Sequence, residues 1–245
     1  MTKMNIFIKI QEMSIDTKYR GKKDRIMAYL KSDFRYSPAI PRPFIFELNG
    51  PPHSGKTTAI VELDKFLRRH GFRVLRPQES GEAIRHINRS APVYNIRTGL
   101  YTLAHLLDHI HNHNYDIVIY DRGIFDSYCW MLYWAEKNKI NQKQLDTIRD
   151  FFLMNFWSNE IDRAYFLVCD PQKSRKRESN TSISEKLDTA NVETVKLYRK
   201  AYKKLSRKFP QLKLIDTGNL NKKEVAETVA LDILNVMEKR AKKKH

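Results

Sequence analysis

The chain is short of several things that would have decided its class at once. Only two of its 245 residues are cysteine, Cys129 and Cys169, which excludes a disulfide scaffold, offers no zinc-ligand spacing and fits a reducing cytosol. No run approaches the roughly 18 apolar residues of a membrane-spanning helix, so no membrane partner is expected. Near the start, Lys9 interrupts Ile6, Phe7, Ile8 and Ile10 and no small-residue cleavage site follows, so no secretory signal is expected either. No internal repeat is present. Acidic residues are scarce, 28 Asp and Glu against 45 Lys and Arg, leaving a net charge of +17. Such a surface attracts polyanions, which allows a nucleic-acid or other phosphate-rich partner, but a basic lid and a lysine-rich solubilising surface are the plainer account. Net charge speaks to association, not to reaction type. With 41% hydrophobic and 30% charged residues, the length suits one full core, or one domain with extensions.

The stretch around which the rest is organised is Phe44-Ile45-Phe46-Glu47-Leu48-Asn49-Gly50-Pro51-Pro52-His53-Ser54-Gly55-Lys56-Thr57-Thr58. A short apolar run leads into G-x-x-x-x-G-K-[ST], and Ala59, Ile60, Leu63, Phe66 and Leu67 follow at helical spacing. That order reads as strand, phosphate-binding loop, helix. Backbone N–H groups at a helix N-terminus supply a ring of donors for phosphate, and the helix dipole favours the negative charge. Gly50 and Gly55 permit the turn, Lys56 reaches the β- and γ-phosphates, and the Thr57 hydroxyl can take one position on Mg²⁺. Gly50, His53, Ser54, Gly55, Lys56, Thr57 and Thr58 are therefore the candidate nucleotide-binding residues, with ATP and Mg²⁺ as the expected cofactors.

Strand and helix signals then alternate. A helix is expected over Ile60–His70, a strand over Phe72–Leu75, and the loop Arg76-Pro77-Gln78-Glu79-Ser80-Gly81 after it. Helical stretches follow at Glu82–Arg89 and about Arg97–His113. Asp116-Ile117-Val118-Ile119-Tyr120-Asp121 is a buried strand ending in a carboxylate, the pattern of a Walker-B strand whose Asp121 emerges beside the phosphate loop near Mg²⁺, and Arg122-Gly123 follow it. Further helices are expected over Ser127–Lys137 and Gln142–Phe156, the first rich in Tyr128, Trp130, Tyr133 and Trp134, which read as core before pocket lining. A strand over Arg163–Asp170, a basic turn around Arg175-Lys176-Arg177, a helix over Leu187–Phe209, a strand over Leu212–Thr217 and a helix over Glu224–Met237 complete the chain. The alternation predicts an α/β fold, a parallel sheet with helices on both faces. Residues 1–43 read as a basic N-terminal extension, 44–238 as the main domain and 239–245 as a basic tail. His105, His109, His111 and His113 crowd together, but without a Glu in H-E-x-x-H register they do not read as a metal site.

With the phosphate loop, Asp121-Arg122 and the basic turn in this order, the chain resembles the thymidylate kinase and deoxynucleoside kinase branch of P-loop kinases over roughly Phe44 to Met237. The resemblance implies a P-loop three-layer sandwich with a basic lid. It implies that Arg122 contacts substrate phosphate or the reacting oxygens, that Arg175 and Arg177 are the lid arginines, and that Ile215-Asp216-Thr217 borders the adenine. It also puts Glu79 about where nucleoside kinases carry a general base, although a helix N-terminal acid is the competing reading. Three departures leave the acceptor open: Pro51-Pro52-His53-Ser54 lacks a carboxylate, Arg76–Gly81 matches an Arg-Glu-Pro-Gly loop only loosely, and Leu103–Asp108 lacks an arginine.

The function expected is transfer of the γ-phosphate of ATP to a nucleoside, nucleotide or similar small acceptor. A kinase acting on a nucleic-acid end and a nucleotide-switched binding protein are the alternatives, and a homodimer is one assembly open to it. Phosphoryl transfer depends mostly on positioning and on converging cations, which Lys56, Arg122, Arg175 and Arg177 would supply. Lys56→Ala is therefore expected to abolish transfer in a protein that melts normally, and undiminished transfer by that variant would refute the assignment.

Overall fold

The computed structural model describes residues 21–28, 43–52, 54–84, 86–170 and 188–242. The strands among them are β1 (Phe44–Asn49), β2 (Val74–Leu75), β3 (Ile117–Asp121), β4 (Arg163–Val168) and β5 (Leu212–Asp216). All pair in parallel, in the order β2-β3-β1-β4-β5. The helices are α1 (residues 21–28), α2 (Lys56–Arg69), α3 (Ser80–Ala83), α4 (Pro92–His109), α5 (Ile124–Glu136), α6 (Gln142–Phe152), α7 (Asn155–Ser158), α8 (Asp188–Leu205) and α9 (Lys222–Lys242). Every residue of β1 is buried, as are four of five in β3 and five of six in β4. Continuous burial is what a parallel sheet covered on both faces requires, and it explains why these strands read as unbroken apolar runs. The expected α/β fold is the one observed.

Several boundaries differ from expectation for identifiable reasons. Helix α2 begins at Lys56, not Ile60, because the phosphate loop's own Lys-Thr-Thr forms its first turn. Helix α4 begins at Pro92, where Arg97 was expected: proline, with φ preset and no N–H to satisfy, opens the helix rather than interrupting it. It ends at His109, so His111 and His113 lie beyond it. The helix expected over Glu82–Arg89 shrinks to the single turn Ser80–Ala83, and Gln142–Phe156 divides into α6 and α7. Helix α6 starts at a capping box, in which Asn141 and Gln144 exchange side-chain-to-backbone bonds of 2.9 and 2.8 Å. The basic turn around Arg175 lies outside the described residues.

Two compact units are formed, Pro41–Val229 and a smaller one pairing residues 1–40 with Ala230–His245. In the smaller unit Ile26, Ile233, Leu234 and Met237 are buried, and Arg25 Nε donates to Glu238 Oε1 at 2.8 Å. Among the described residues no helix is long and apolar enough to cross a membrane. Cys129 and Cys169 are both buried.

The centre of the larger unit is α5. Nine of its residues are buried, and it packs against α4, α6 and α8. Its approach to α4 depends on Gly99, where a Cβ would meet Ser127 Oγ at 2.6 Å and the Phe152 ring at 2.7 Å. Glycine inside a helix costs about 1 kcal/mol relative to alanine, so packing is the reason for its presence. Gly99→Val is expected to lower the unfolding free energy by about 1–3 kcal/mol through overpacking. Urea denaturation measures this, and an unchanged midpoint would contradict the packing argument.

Candidate active site

The crevice lies at the carboxyl ends of β1, β3 and β4, where strand order reverses about the central strand. β1 runs straight into the phosphate loop. Gly50 begins it, and a Cβ there would lie 2.3 Å from the Leu167 carbonyl oxygen of β4. Gly55 ends it at φ 91, in the left-handed region that glycine adopts without strain. Lys56 is 6% exposed, and its ammonium donates to the Pro51 carbonyl at 3.0 Å across the loop. Burial, with the Arg122 guanidinium acting in the same direction, lowers its pKa to about 8, whereas Asp121, Asp126 and Glu79 oppose the shift. Thr58, the third residue of α2, is half-buried. The far side of the loop is fastened to the sheet: Thr217, just past β5, donates from its hydroxyl to the Ser54 carbonyl at 3.1 Å.

Thr57 Oγ1 donates to Asp121 Oδ2 at 3.0 Å, so the first helical hydroxyl and the last carboxylate of β3 meet. The second carboxylate oxygen, Asp121 Oδ1, is buried without a hydrogen-bond partner, and so is Ser54 Oγ. A hydroxyl and a carboxylate side by side, with an acceptor left over, are the hard oxygen ligands that suit Mg²⁺. These residues fit the metal. The histidines do not form an alternative site. His105 and His109 stack at 6.1 Å, and His109 Nδ1 contacts Asn112 Nδ2 at 3.2 Å. Among the described residues, no group of three or more His, Cys, Asp or Glu is placed to hold a metal.

Arg122 follows Asp121 with φ 65, uncommon for a residue with a side chain. Its turn is held by β1. The Arg122 N–H donates to the Leu48 carbonyl at 3.0 Å, and Gly123 N–H donates to Asn49 Oδ1 at 2.9 Å. Glu47, 1% exposed, accepts from the Ile124 and Phe125 N–H groups at 2.8 and 3.4 Å and from Asn49 Nδ2 at 3.1 Å. Its carboxyl thus caps the N-terminus of α5. It also fills the place of a side chain on residue 123, where a Cβ would fall 1.7 Å from Glu47 Cδ. Burial raises the Glu47 pKa to about 7 against the pull of these three bonds.

The Arg122 guanidinium reaches over the loop. Nε donates to Glu79 Oε1 at 3.1 Å, while Nη1 is shared among the Gly50 carbonyl at 3.1 Å, Asp126 at 3.2 Å and the Tyr198 hydroxyl at 3.2 Å. Glu79 stands at the N-cap of α3, and burial followed by the Asp121 charge raises its pKa. Beyond it opens a cavity of about 490 Å³, lined by Glu79, Arg122 and Asp126 at one end and by Tyr94, Asn95, Trp130, Tyr133 and Trp134 further in. Of Tyr128, Trp130, Tyr133 and Trp134 on α5, the last three therefore line a pocket, Trp134 while also packing in the core, and Tyr128 keeps the expected core position. Trp134 Nε1 donates to Asn95 Oδ1 at 2.8 Å. Because an indole nitrogen only donates, this bond fixes which end of the amide is the oxygen and leaves Nδ2 as the donor available to the cavity.

The structure thus brings together Gly50, Ser54, Gly55, Lys56, Thr57, Asp121, Arg122 and Glu79. His53, Arg175 and Arg177 lie outside the described residues. Sequence reasoning passed over Glu47, Asn49, Asn95, Asp126 and Tyr198. Glu47 and Asn49 did carry a signal, being polar residues inside an otherwise apolar core strand. Asp126 lies four residues after Arg122 on one helix face, a spacing that favours pairing. Tyr198 carried none, since its meeting with Arg122 is a tertiary contact across 76 residues.

A phosphate loop, an adjoining hydroxyl–carboxylate pair and converging cations beside an aromatic-lined cavity define a P-loop phosphotransferase. No protein-family profile matches the chain. It is 29% identical over 209 residues to thymidylate kinase of Geobacillus thermodenitrificans, covering 76% of this chain and 88% of that protein. Among solved structures, thymidylate kinase from Candida albicans superposes with a TM-score of 0.59 at 16% identity, over 82% of this chain and 95% of the other. Deoxyadenosine kinase from M. mycoides gives a TM-score of 0.57 at 20% identity, over 78% and 99%. The chain is a P-loop phosphotransferase, similar in sequence to a thymidylate kinase and in fold to thymidylate kinase and deoxyadenosine kinase.

The Glu47 cap generates a pH prediction. The unfolded carboxyl releases its proton near 4.5 and the folded one near 7, so between these values the folded chain holds more protons and this group's contribution to stability falls as pH rises. Glu47→Gln removes the titration while keeping the shape. The variant is expected to gain stability relative to the parent as pH is raised through that window, by up to a few kcal/mol in chemical denaturation. A difference that stays flat with pH would rule out a buried titrating Glu47.

Proposed function

We propose that the chain transfers the γ-phosphoryl group of ATP to a hydroxyl of a nucleoside, with Glu79 as the general base. The observation that carries this is a carboxylate with a raised pKa, standing between the phosphate loop and an aromatic cavity of nucleoside-binding size. Glu79 takes the proton of the hydroxyl as that oxygen attacks the γ-phosphorus and the bond to the bridging β–γ oxygen breaks. Lys56 and Arg122 stabilise the charge on the transferred oxygens, and Mg²⁺ held by Thr57 and Asp121 would neutralise charge on the β- and γ-phosphates. In the cavity, Trp130, Tyr133 and Trp134 offer faces for a base to stack on, and the Asn95 amide donates to an acceptor on the base edge.

Charge balance favours a nucleoside over a nucleotide. The charged residues lining the cavity are Arg89 and Arg122 against Glu79, Glu82 and Asp126, and Arg122 is already engaged by Glu79 and Asp126. An acceptor that brings its own phosphate would enter a site with one acid more than it has bases. Binding of a nucleic-acid end, suggested by the +17 net charge, meets the same objection.

Incubation with γ-labelled ATP and a panel of ribo- and deoxynucleosides, their monophosphates and short oligonucleotides is expected to label a nucleoside. Glu79→Gln should lower that turnover by about 100-fold or more while ATP binding persists. Labelling of monophosphates or oligonucleotides alone, or full activity without the carboxylate, would overturn the proposal.

A further inference from the structure

Two residues that take no part in the transfer step above converge on Arg122 from different elements. Asp126, on α5, is 4% exposed, and its carboxylate accepts from Arg122 Nη1, from Trp130 Nε1 at 3.0 Å and from the Tyr198 hydroxyl. Tyr198, on α8, is fully buried, and its hydroxyl donates to Asp126 while accepting from Arg122 Nη1 at 3.2 Å. The phenol is therefore fixed in both of its roles by two different partners. Its ring is seated in the core against Phe166, at 6.0 Å between ring centroids. Every bond from the guanidinium to a described residue runs from Nε or Nη1. Among the described residues, Nη2 donates to none.

A guanidinium is planar, so anchoring two of its nitrogens fixes the direction of the third. An arginine on a strained backbone at φ 65, at the edge of an open crevice, would otherwise sample several rotamers. We propose that Asp126 and Tyr198 form a positioning pair that locks the plane of the Arg122 guanidinium and presents its Nη2 end to the transferred phosphoryl group. The proposal rests on the reading of Arg122 as a phosphoryl contact. Neither residue touches the reacting atoms: both act through Arg122, one as a charge partner and the other as a hydroxyl that braces the charge partner from a separate helix. Misplacement of a catalytic group by as little as about 1 Å can cost on the order of 100-fold in rate, so a brace of this kind has a kinetic consequence.

The experiment compares the full chain with Tyr198→Phe, Asp126→Asn, Arg122→Lys and the double variant Tyr198→Phe/Arg122→Lys. It measures kcat and KM for ATP with a saturating mixture of the four deoxynucleosides as the acceptor probe, and the melting temperature of each protein. Tyr198→Phe keeps the ring in the core and removes only the hydroxyl. It is expected to lower kcat by roughly 10-fold with KM for ATP changed less than about 2-fold, the signature of a lost transition-state interaction. Asp126→Asn, which keeps the shape, is expected to lower kcat further. In the Arg122→Lys background, where no planar fork remains to be aimed, Tyr198→Phe should change kcat by less than about 2-fold, because residues that act through one another do not add. A purely structural role predicts the opposite, the same fractional loss in both backgrounds in step with the melting temperature. That result overturns the proposal, as does parental kcat in Tyr198→Phe while Arg122→Lys is impaired. Parental kcat in Arg122→Lys instead overturns the reading of Arg122 itself.

Discussion

The site depends on a carboxyl group that never reaches it. Glu47 sits inside the central strand, and through the bonds it accepts from the start of α5 it decides where β3 ends and the next helix begins. Burying a carboxyl is costly unless its oxygens are hydrogen-bonded, and here two backbone donors and one side-chain amide compensate. The same carboxyl occupies the space that a side chain at residue 123 would need, so the turn carrying Arg122 can close against the sheet. Strand register does the rest. Leu48 lies opposite Asp121 in the β1–β3 pairing, which brings the end of β3 level with the start of the phosphate loop.

Around that turn the charges interleave instead of segregating. Lys56 and Arg122 are drawn in by burial among Glu79, Asp121 and Asp126, and each acid has a different duty. Asp121 faces Thr57, Glu79 pairs with Arg122 Nε at the edge of the cavity, and Asp126, which also lines the cavity, joins Arg122 Nη1 to the buried Tyr198. A site whose cations are already matched does not need a bound anion to remain folded. The excess of basic residues over the whole chain is thus not concentrated in the acceptor cavity.

The elements that follow from local rules were legible in the sequence. The phosphate loop, the apolar strands of a doubly covered sheet and the carboxylate closing β3 all have a periodicity or spacing that a reader can test, and Lys56, Thr57, Asp121, Arg122 and Glu79 were found that way or through the family resemblance they carry. Helix starts were less legible where Pro92 opened a helix instead of interrupting one. What escaped was set by tertiary contact. Trp130, Tyr133 and Trp134 have the same spacing whether a helix faces a core or a cavity, and only the placement of α4, through Gly99, decides between them. Nothing near Tyr198 in the chain announces that its hydroxyl will meet Arg122.

Thr217 shows how β5 contributes to a loop that it does not adjoin in sequence. Its hydroxyl reaches the Ser54 carbonyl, and its backbone N–H donates to Val168 at 2.7 Å, so the phosphate loop is tied to the far half of the sheet. A free glycine-containing loop loses conformational entropy when it wraps a ligand, and that loss subtracts from affinity. Here part of the ordering is completed during folding. The nucleotide side of the crevice is preorganised by its neighbours, so binding free energy on that side need not be spent on shaping the loop.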